Sequence, residues 1–343
     1  MDERVTISNI AQKTGVSLST VSLVLNNKPG VADITRAKVI DTAEQLGYPI
    51  KQSAINLRGN VLSTLGMIVK TDFDQGPSEN PFYSRIIMGI EDSCRRNGIS
   101  LLFATLPVDD QNHPVETPAL LYNDSVDGVL MVGTFVDETV FSVSGKRTPP
   151  IVLVDAYSNT DSFDTVISDN FRAAYQEVEY LMSKGHRHIG LVGAEPNAYP
   201  SLRDRRNGYF RALKENDVPD TYVANFNINK TKGYAEVSAL LKENPGITAI
   251  FCINDEVAVT AMRAAQDLGL KIPHDLSVVG YDDINLAKNA APALTTMRVD
   301  TTAMGRAAVH LLSLRLDNPD IARMTLTVNP TLIERASVSD YKT

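Results

Sequence analysis

A chain of 343 residues exceeds what one hydrophobic core of ordinary size serves, so two or three domains are expected. A hydrophobic fraction of 43% with 22% charged residues belongs to a folded, soluble protein, and no run approaches the roughly 18 apolar residues that a membrane span requires. The formal net charge of −8 sits badly with nucleic-acid binding until it is divided: residues 1–60 carry seven Lys/Arg against five Asp/Glu, and the rest of the chain is acidic.

Residues 1–30 hold a polar, capped helical pattern in place of a signal-peptide core, so the chain is expected to stay in the cytoplasm. Ile7, Ile10, Ala11 and Thr14 follow the i, i+3, i+4, i+7 spacing of a helix, and Val21, Val24 and Leu25 repeat it after Gly15-Val16-Ser17. A third helix is expected to take Asp33 as its N-cap, to turn Val39, Ile40, Ala43 and Leu46 inward and to stop at Gly47. Two helices that cross steeply through a three-residue turn need a small residue at the close approach, a glycine in the turn and a β-branched residue on the second helix. Ala11, Gly15 and Val21 supply these, as a helix-turn-helix would. The start of the second helix is crowded with Ser17, Leu18, Ser19, Thr20, Ser22 and Leu23, short side chains that can reach phosphates or base edges in a major groove. No acidic residue stands between positions 4 and 32, where phosphate would oppose one.

Beyond residue 62 the texture changes to apolar runs at 65–69, 99–104, 128–132, 151–154, 189–192, 249–253 and 277–280, alternating with amphipathic stretches of helical length. Continuous β-branched runs suit strands buried on both faces of parallel sheets with crossover helices, the pattern of an α/β core, and the length calls for two lobes of similar topology. Cys94 and Cys252 lie in apolar patterns with no CxxC partner and read as buried reduced thiols. His186 and His188 have no third ligand nearby, so neither a metal nor a cofactor is expected. There is no GxGxxG after an early strand, no GxxxxGK[ST] and no GxSxG, which disfavours an enzyme. An extracytoplasmic solute receptor would share the two lobes but would carry an export signal in place of the helix-turn-helix.

The ordered segments Val5-Thr6-Ile7, Ile10-Ala11, Gly15-Val16-Ser17, Thr20-Val21-Ser22, Val24-Leu25-Asn26, Thr35-Arg36 and Leu46-Gly47-Tyr48 resemble the lactose-repressor/galactose-repressor family of bacterial regulators. The resemblance continues through Asn80-Pro81-Phe82, Asp127-Gly128, Gly185-His186-Arg187-His188-Ile189, Arg205 with Gly208-Tyr209, Asn254-Asp255, Gly280-Tyr281-Asp282-Asp283 and Pro292-Ala293-Leu294-Thr295-Thr296. It implies an all-α helix-turn-helix DNA-binding domain at 1–50, a hinge helix at 51–61 and an α/β, periplasmic-binding-protein-like core at 62–343. Lobe 1 would take about 62–167 and 300–328, and lobe 2 about 168–299 and 329–343.

By the same resemblance Leu18, Ser19 and Leu23 read bases, and Leu23 stands where many members place an arginine, so it cannot make a bidentate guanine contact. Thr6, Ser17, Ser22 and Asn26 would position the backbone, and Thr20 would be a further DNA-binding residue at the start of the helix. Leu57, with Ala54 one turn earlier, takes the place of the hinge leucine that wedges into the minor groove. Effector contacts carry over to Asp155, Asn254 and Asp282, polar groups at strand ends that suit a sugar-like molecule between the lobes, and to Arg205 at the family's arginine position, while Phe82 and Tyr83 either stack on a sugar face or pack the helix that begins there. The resemblance further implies a homodimer on a pseudopalindromic double-stranded operator, its recognition helices about 34–36 Å apart, and control of a carbohydrate-utilisation operon. The leucine-heptad helix of tetrameric members has no counterpart after Glu334-Arg335.

Overall fold

A computed structural model describes residues 5–25, 30–48, 62–71, 80–116, 118–122, 125–136, 149–193 and 195–341. Asn26, Ala54 and Leu57 lie outside them. The first helices are α1 (Ile7–Thr14), α2 (Leu18–Leu25) and α3 (Asp33–Gln45), around a core of Ile10, Ala11, Val21, Val24, Leu25, Val39, Ile40 and Ala43. Helix α1 starts at Thr6, whose N–H and hydroxyl both donate to the Asn9 carboxamide oxygen at 2.8 and 2.5 Å. It ends at Gly15, with φ +73°, whose N–H donates to the Ala11 carbonyl at 2.9 Å. This left-handed residue turns the chain into α2, where a Cβ would be strained.

Two local expectations are corrected. Ile7 is exposed, on the outer edge of the α1 stripe. The N-cap of α3 is Ala32, and Asp33 is its first helical residue, where a carboxylate still favours the positive end of the helix dipole. Leu46, the C-cap of α3, packs half-buried against the three-helix core, as its place in the apolar stripe predicts. The helix then closes with the paired bonds of a Schellman motif: Gly47 N–H to the Glu44 carbonyl and Tyr48 N–H to the Ala43 carbonyl, both 2.9 Å.

Residues from 62 onward form two six-stranded sheets. The first draws on β1 (Thr64–Thr71), β2 (Ser100–Pro107), β3 (Gly128–Val132), β5 (Ile151–Val154), β7 (Asp164–Ser168) and β13 (Thr325–Val328), in the all-parallel order β13-β7-β5-β3-β1-β2. The second draws on β8 (Ile189–Val192), β9 (Tyr222–Ala224), β10 (Ala249–Cys252), β11 (Ser277–Asp282), β12 (Thr295–Arg298) and β14 (Thr331–Ile333), in the order β14-β12-β11-β10-β8-β9, with only the β12/β14 pair antiparallel. A two-stranded ribbon of β4 (Phe135–Val136) and β6 (Tyr157–Ser158) lies between β3 and β7 in the chain.

Helices α4 (Pro81–Arg96) and α10 (Thr301–Asp317) pack together on the first sheet, and α5 (Asn170–Ser183) pairs with α6 (Pro200–Glu215) on the second. Helices α7 (Tyr234–Glu243), α8 (Asp255–Asp267) and the short α9 (Asn285–Asn289) complete the second unit. Both sheets reverse direction of growth beside their first strand, between β1 and β3 and between β8 and β10, so each has a switch point where ligands of open α/β folds bind. Strands β3, β5, β8 and β10 are buried along their whole length, as their unbroken apolar runs require.

Candidate functional site

The carboxyl ends of the two sheets border one cleft of about 930 Å³, lined from both lobes by Lys70, Phe82, Tyr83, Asp155, Arg205, Asn254 and Asp282 among others. All six residues expected to contact the effector line it. Asp155 follows β5 with φ +45°, and Asp282 ends β11 with φ +103°. Both backbones are in the left-handed region that aspartate adopts at a cost, a strain that clusters at binding sites because it aims a side chain where an extended strand could not.

The floor of the cleft is a ladder of opposite charges. Tyr83 is buried, and its hydroxyl donates to the Asp155 carboxylate at 3.2 Å. Gly133, with φ +77°, makes room for this ring: a Cβ there would lie 2.8 Å from the Tyr83 ring and 3.0 Å from the Lys70 side chain. The Lys70 Nζ is 5.3 Å from the centroid of that ring and donates to the Asn112 Oδ1 at 2.6 Å. Arg205 is held on every side. Its Nε donates to the Asn170 Oδ1 at 2.9 Å, one Nη to the Ile253 carbonyl at 2.8 Å, the other lies 3.0 Å from the Asp282 carboxylate, and the guanidinium stacks 3.7 Å over the Tyr281 ring.

Burial pushes Asp155 up to about 6, against the opposing pull of Arg205 and Lys70, and Asp282 up to about 7, against Arg205. Asp255 is pushed up to about 8 by burial and by Asp282, although Thr296 Oγ1 at 2.6 Å and the Ile284 N–H at 2.8 Å donate to it.

The expected site residues thus divide by what they do. Asp155, Asp282 and Arg205 turn charged atoms toward the cleft. Asn254 spends its side-chain oxygen as the N-cap of α8, accepting from the Val257 N–H at 2.9 Å. Tyr83 orients Asp155 from the core, while half-buried Phe82 lines the wall, its ring edge-on to Tyr83 at 5.4 Å. Sequence reasoning missed Lys70, whose only signal is a cation closing an apolar strand run. It also missed Tyr199, whose hydroxyl stands 3.0 Å from the Thr134 and Asp155 carbonyls of the other lobe, and nothing local marked that contact. Among the described residues no group of three or more His, Cys, Asp or Glu could hold a metal, and His186 is tied to the Thr248 hydroxyl and the Ser339 carbonyl.

On the first domain, Ser17, Leu18, Ser19 and Ser22 are exposed on one side of α2, and Thr20 and Leu23 are half-buried. Ser17 Oγ accepts from the Thr20 N–H at 3.1 Å and thereby caps α2. Leu18 is 51% exposed.

Residues 6–49 match the family model described as bacterial regulatory proteins, lacI family, and residues 178–338 match a periplasmic binding protein-like domain. The HTH-type transcriptional repressor PurR of Photorhabdus laumondii is 33% identical over 341 residues, covering 98% of this chain and 97% of the relative. The chain belongs to the lacI family. It is therefore a lacI-family transcriptional repressor with an effector-binding domain, as is consistent with PurR of Proteus mirabilis at 32% identity over 98% of this chain and 97% of that one. Among solved structures, the regulator CelR in complex with cellobiose is similar at TM-score 0.68 and 25% identity, over 97% of this chain and all of that one. A lacI-family regulator from Enterococcus faecium with bound ribose is similar at TM-score 0.67 and 26% identity, over 82% of this chain and all of that one. The lac repressor dimer bound to operator superposes at TM-score 0.67 over 98% of this chain and all of that one, and at 24% identity it speaks to the fold alone. Among the described residues no helix is long and apolar enough to cross a membrane.

Proposed function

We propose that this repressor binds a neutral, sugar-like effector in the interlobe cleft and thereby controls a carbohydrate-utilisation operon. The observation that carries the reading is the balance of charge on the cleft floor, two cations (Lys70, Arg205) against two carboxylates (Asp155, Asp282). A vicinal diol satisfies such a ladder, each hydroxyl donating to a carboxylate and accepting from a cation, whereas a charged ligand would leave one sign uncompensated in a buried place. The cellobiose and ribose held by the two structural neighbours agree with that class.

The operator is read by a homodimer, with Leu18, Ser19 and Leu23 at base edges and Thr6, Ser17, Thr20 and Ser22 on the phosphates; Asn26 and the hinge pair Ala54 and Leu57 are assigned by resemblance. Residues 1–50, 51–61 and 62–343 serve as reader, hinge and sensor. The edge strand β2, unpaired on one side among the described residues and with Phe103 49% exposed, and α4, which packs on it and has Met88 64% exposed, offer an apolar face for a second copy.

The test is a mobility shift on the DNA upstream of the gene, with the full chain and with residues 62–343 alone, repeated with a saccharide panel and with free purine bases. A saccharide should change the shift of the full chain, and the truncated chain should give none. A response to a purine base and to no saccharide would remove the sugar assignment.

A further inference from the structure

The cleft has two halves that differ in burial. The inner half is the charged floor around Asp155 and Arg205, both buried; the outer half is bounded by exposed Asp110, Gln111, Asn229 and Lys232 and half-buried Glu256. At ~30 Å³ per water the whole space equals about thirty waters, at the upper end of what a drug-sized ligand occupies. One sugar ring on the floor leaves the outer half to solvent.

That outer half is built on both sides. Above it, residues 108–115 form a strap stiffened from within: the Asp109 carboxylate accepts from the Gln111 and His113 N–H groups, both at 2.9 Å, and Val108 bridges to Pro114. The strap is rooted in the inner half, because Asn112 accepts from Lys70 Nζ through its side chain and from the Phe135 N–H, at 2.7 Å, through its carbonyl. Its tip crosses to the other lobe, where Asn229 Nδ2 donates to the Asp110 carbonyl at 3.1 Å and the Lys230 Nζ stands 2.6 Å from the Asp110 carboxylate. On the opposite wall Lys232 and Glu256 pair at 2.6 Å, presenting a donor and an acceptor side by side.

We propose that the effector is a molecule of two linked sugar rings, the inner on the Asp155–Arg205–Asp282 floor and the outer beneath the Asp110 strap against Lys232, Glu256 and Asn229. This rests on the reading of the cleft as a sugar site. The outer ring exchanges the Lys232–Glu256 contact for hydroxyls and keeps both charges hydrogen-bonded, while the strap excludes a third ring by crossing the cleft.

Calorimetric titration of the full-length protein with D-glucose, D-galactose and D-mannose against cellobiose, maltose, lactose and melibiose tests the assignment. At least one disaccharide should bind ten times or more tighter than each of its component monosaccharides. In the double variant Lys232→Met, Glu256→Gln that ratio should fall below threefold with the melting temperature lowered by no more than a few degrees, since both side chains are partly exposed and the pair is a surface ion pair. A monosaccharide bound as tightly as every disaccharide containing it overturns the two-ring effector and leaves the sugar reading standing. A preference that survives in the double variant removes the outer subsite. Binding of none of the seven sugars at millimolar concentration overturns both readings.

Discussion

Glu177, on α5, is fully buried, and neither carboxylate oxygen has a hydrogen-bond partner among the described residues. Burial and the nearby Asp255 hold its carboxyl well above the usual range. The unfolded chain releases that proton near 4.5 while the folded chain keeps it, so stability falls as pH rises from there toward the folded value. Glu177→Met should therefore raise stability by about 1–3 kcal/mol, and by more at pH 8 than at pH 5. Urea unfolding at the two pH values checks this, and an equal gain at both would mean that the native carboxyl is already ionised. Arg205 presents the opposite case, a cation with four protein partners. Arg205→Ala should cost about 3–5 kcal/mol by stranding Asp282. Adding Asp282→Asn should restore much of the lost stability without restoring the effector response, and melting curves beside titrations on both variants separate the structural share from the binding share.

At the scale of the element, the first turn of α2, proposed as the reading helix, has two tasks. Ser17 caps it and faces solvent, whereas Leu18 has no packing task at 51% exposure. Ser17→Ala should lower the local stability of α2 by about 0.5–2 kcal/mol, visible as faster amide exchange in the full chain, and should weaken operator binding. Leu18→Ala should leave exchange unchanged and alter only operator affinity, with loss that depends on the base sequence tested. If both variants weaken every DNA equally, neither side chain is reading bases.

The whole molecule is held across its cleft by contacts at opposite edges. At one edge Asp110 meets Asn229 and Lys230, and at the other Arg85 of α4 donates to the Asp283 carbonyl at 3.0 Å and to the Asn285 Oδ1 at 2.9 Å. An effector shifts operator affinity only through its different affinity for the closed and opened arrangements of the lobes. Arg85→Ala loosens one edge without touching ligand or DNA. It should weaken effector binding about threefold to tenfold, by roughly the 0.5–1.5 kcal/mol net worth of a hydrogen bond, and leave the melting temperature within a degree or two. Titration calorimetry with small-angle scattering checks both parts, and unchanged affinity would place the closing energy elsewhere.

The sequence alone determined what depends on local pattern. The Ala11, Gly15 and Val21 triplet defined the first two helices because a tight turn admits few residues, and the unbroken apolar runs of β3, β5, β8 and β10 marked strands buried on both faces. Strands without a continuous apolar run escaped it: the edge strand β13 is largely exposed and its inner neighbour β7 alternates. Asp155 and Asp282 were legible as candidates for the cleft they line only through the family resemblance, since a carboxylate closing an apolar run is by itself more often a helix cap or a surface charge. Only the tertiary structure decided that Asn254 is a helix cap and that Arg205 is also an ion-pair partner. It alone brought Lys70, Tyr199 and Asp110 to the cleft, because each meets partners at least 42 residues away along the chain, at separations that no local periodicity encodes.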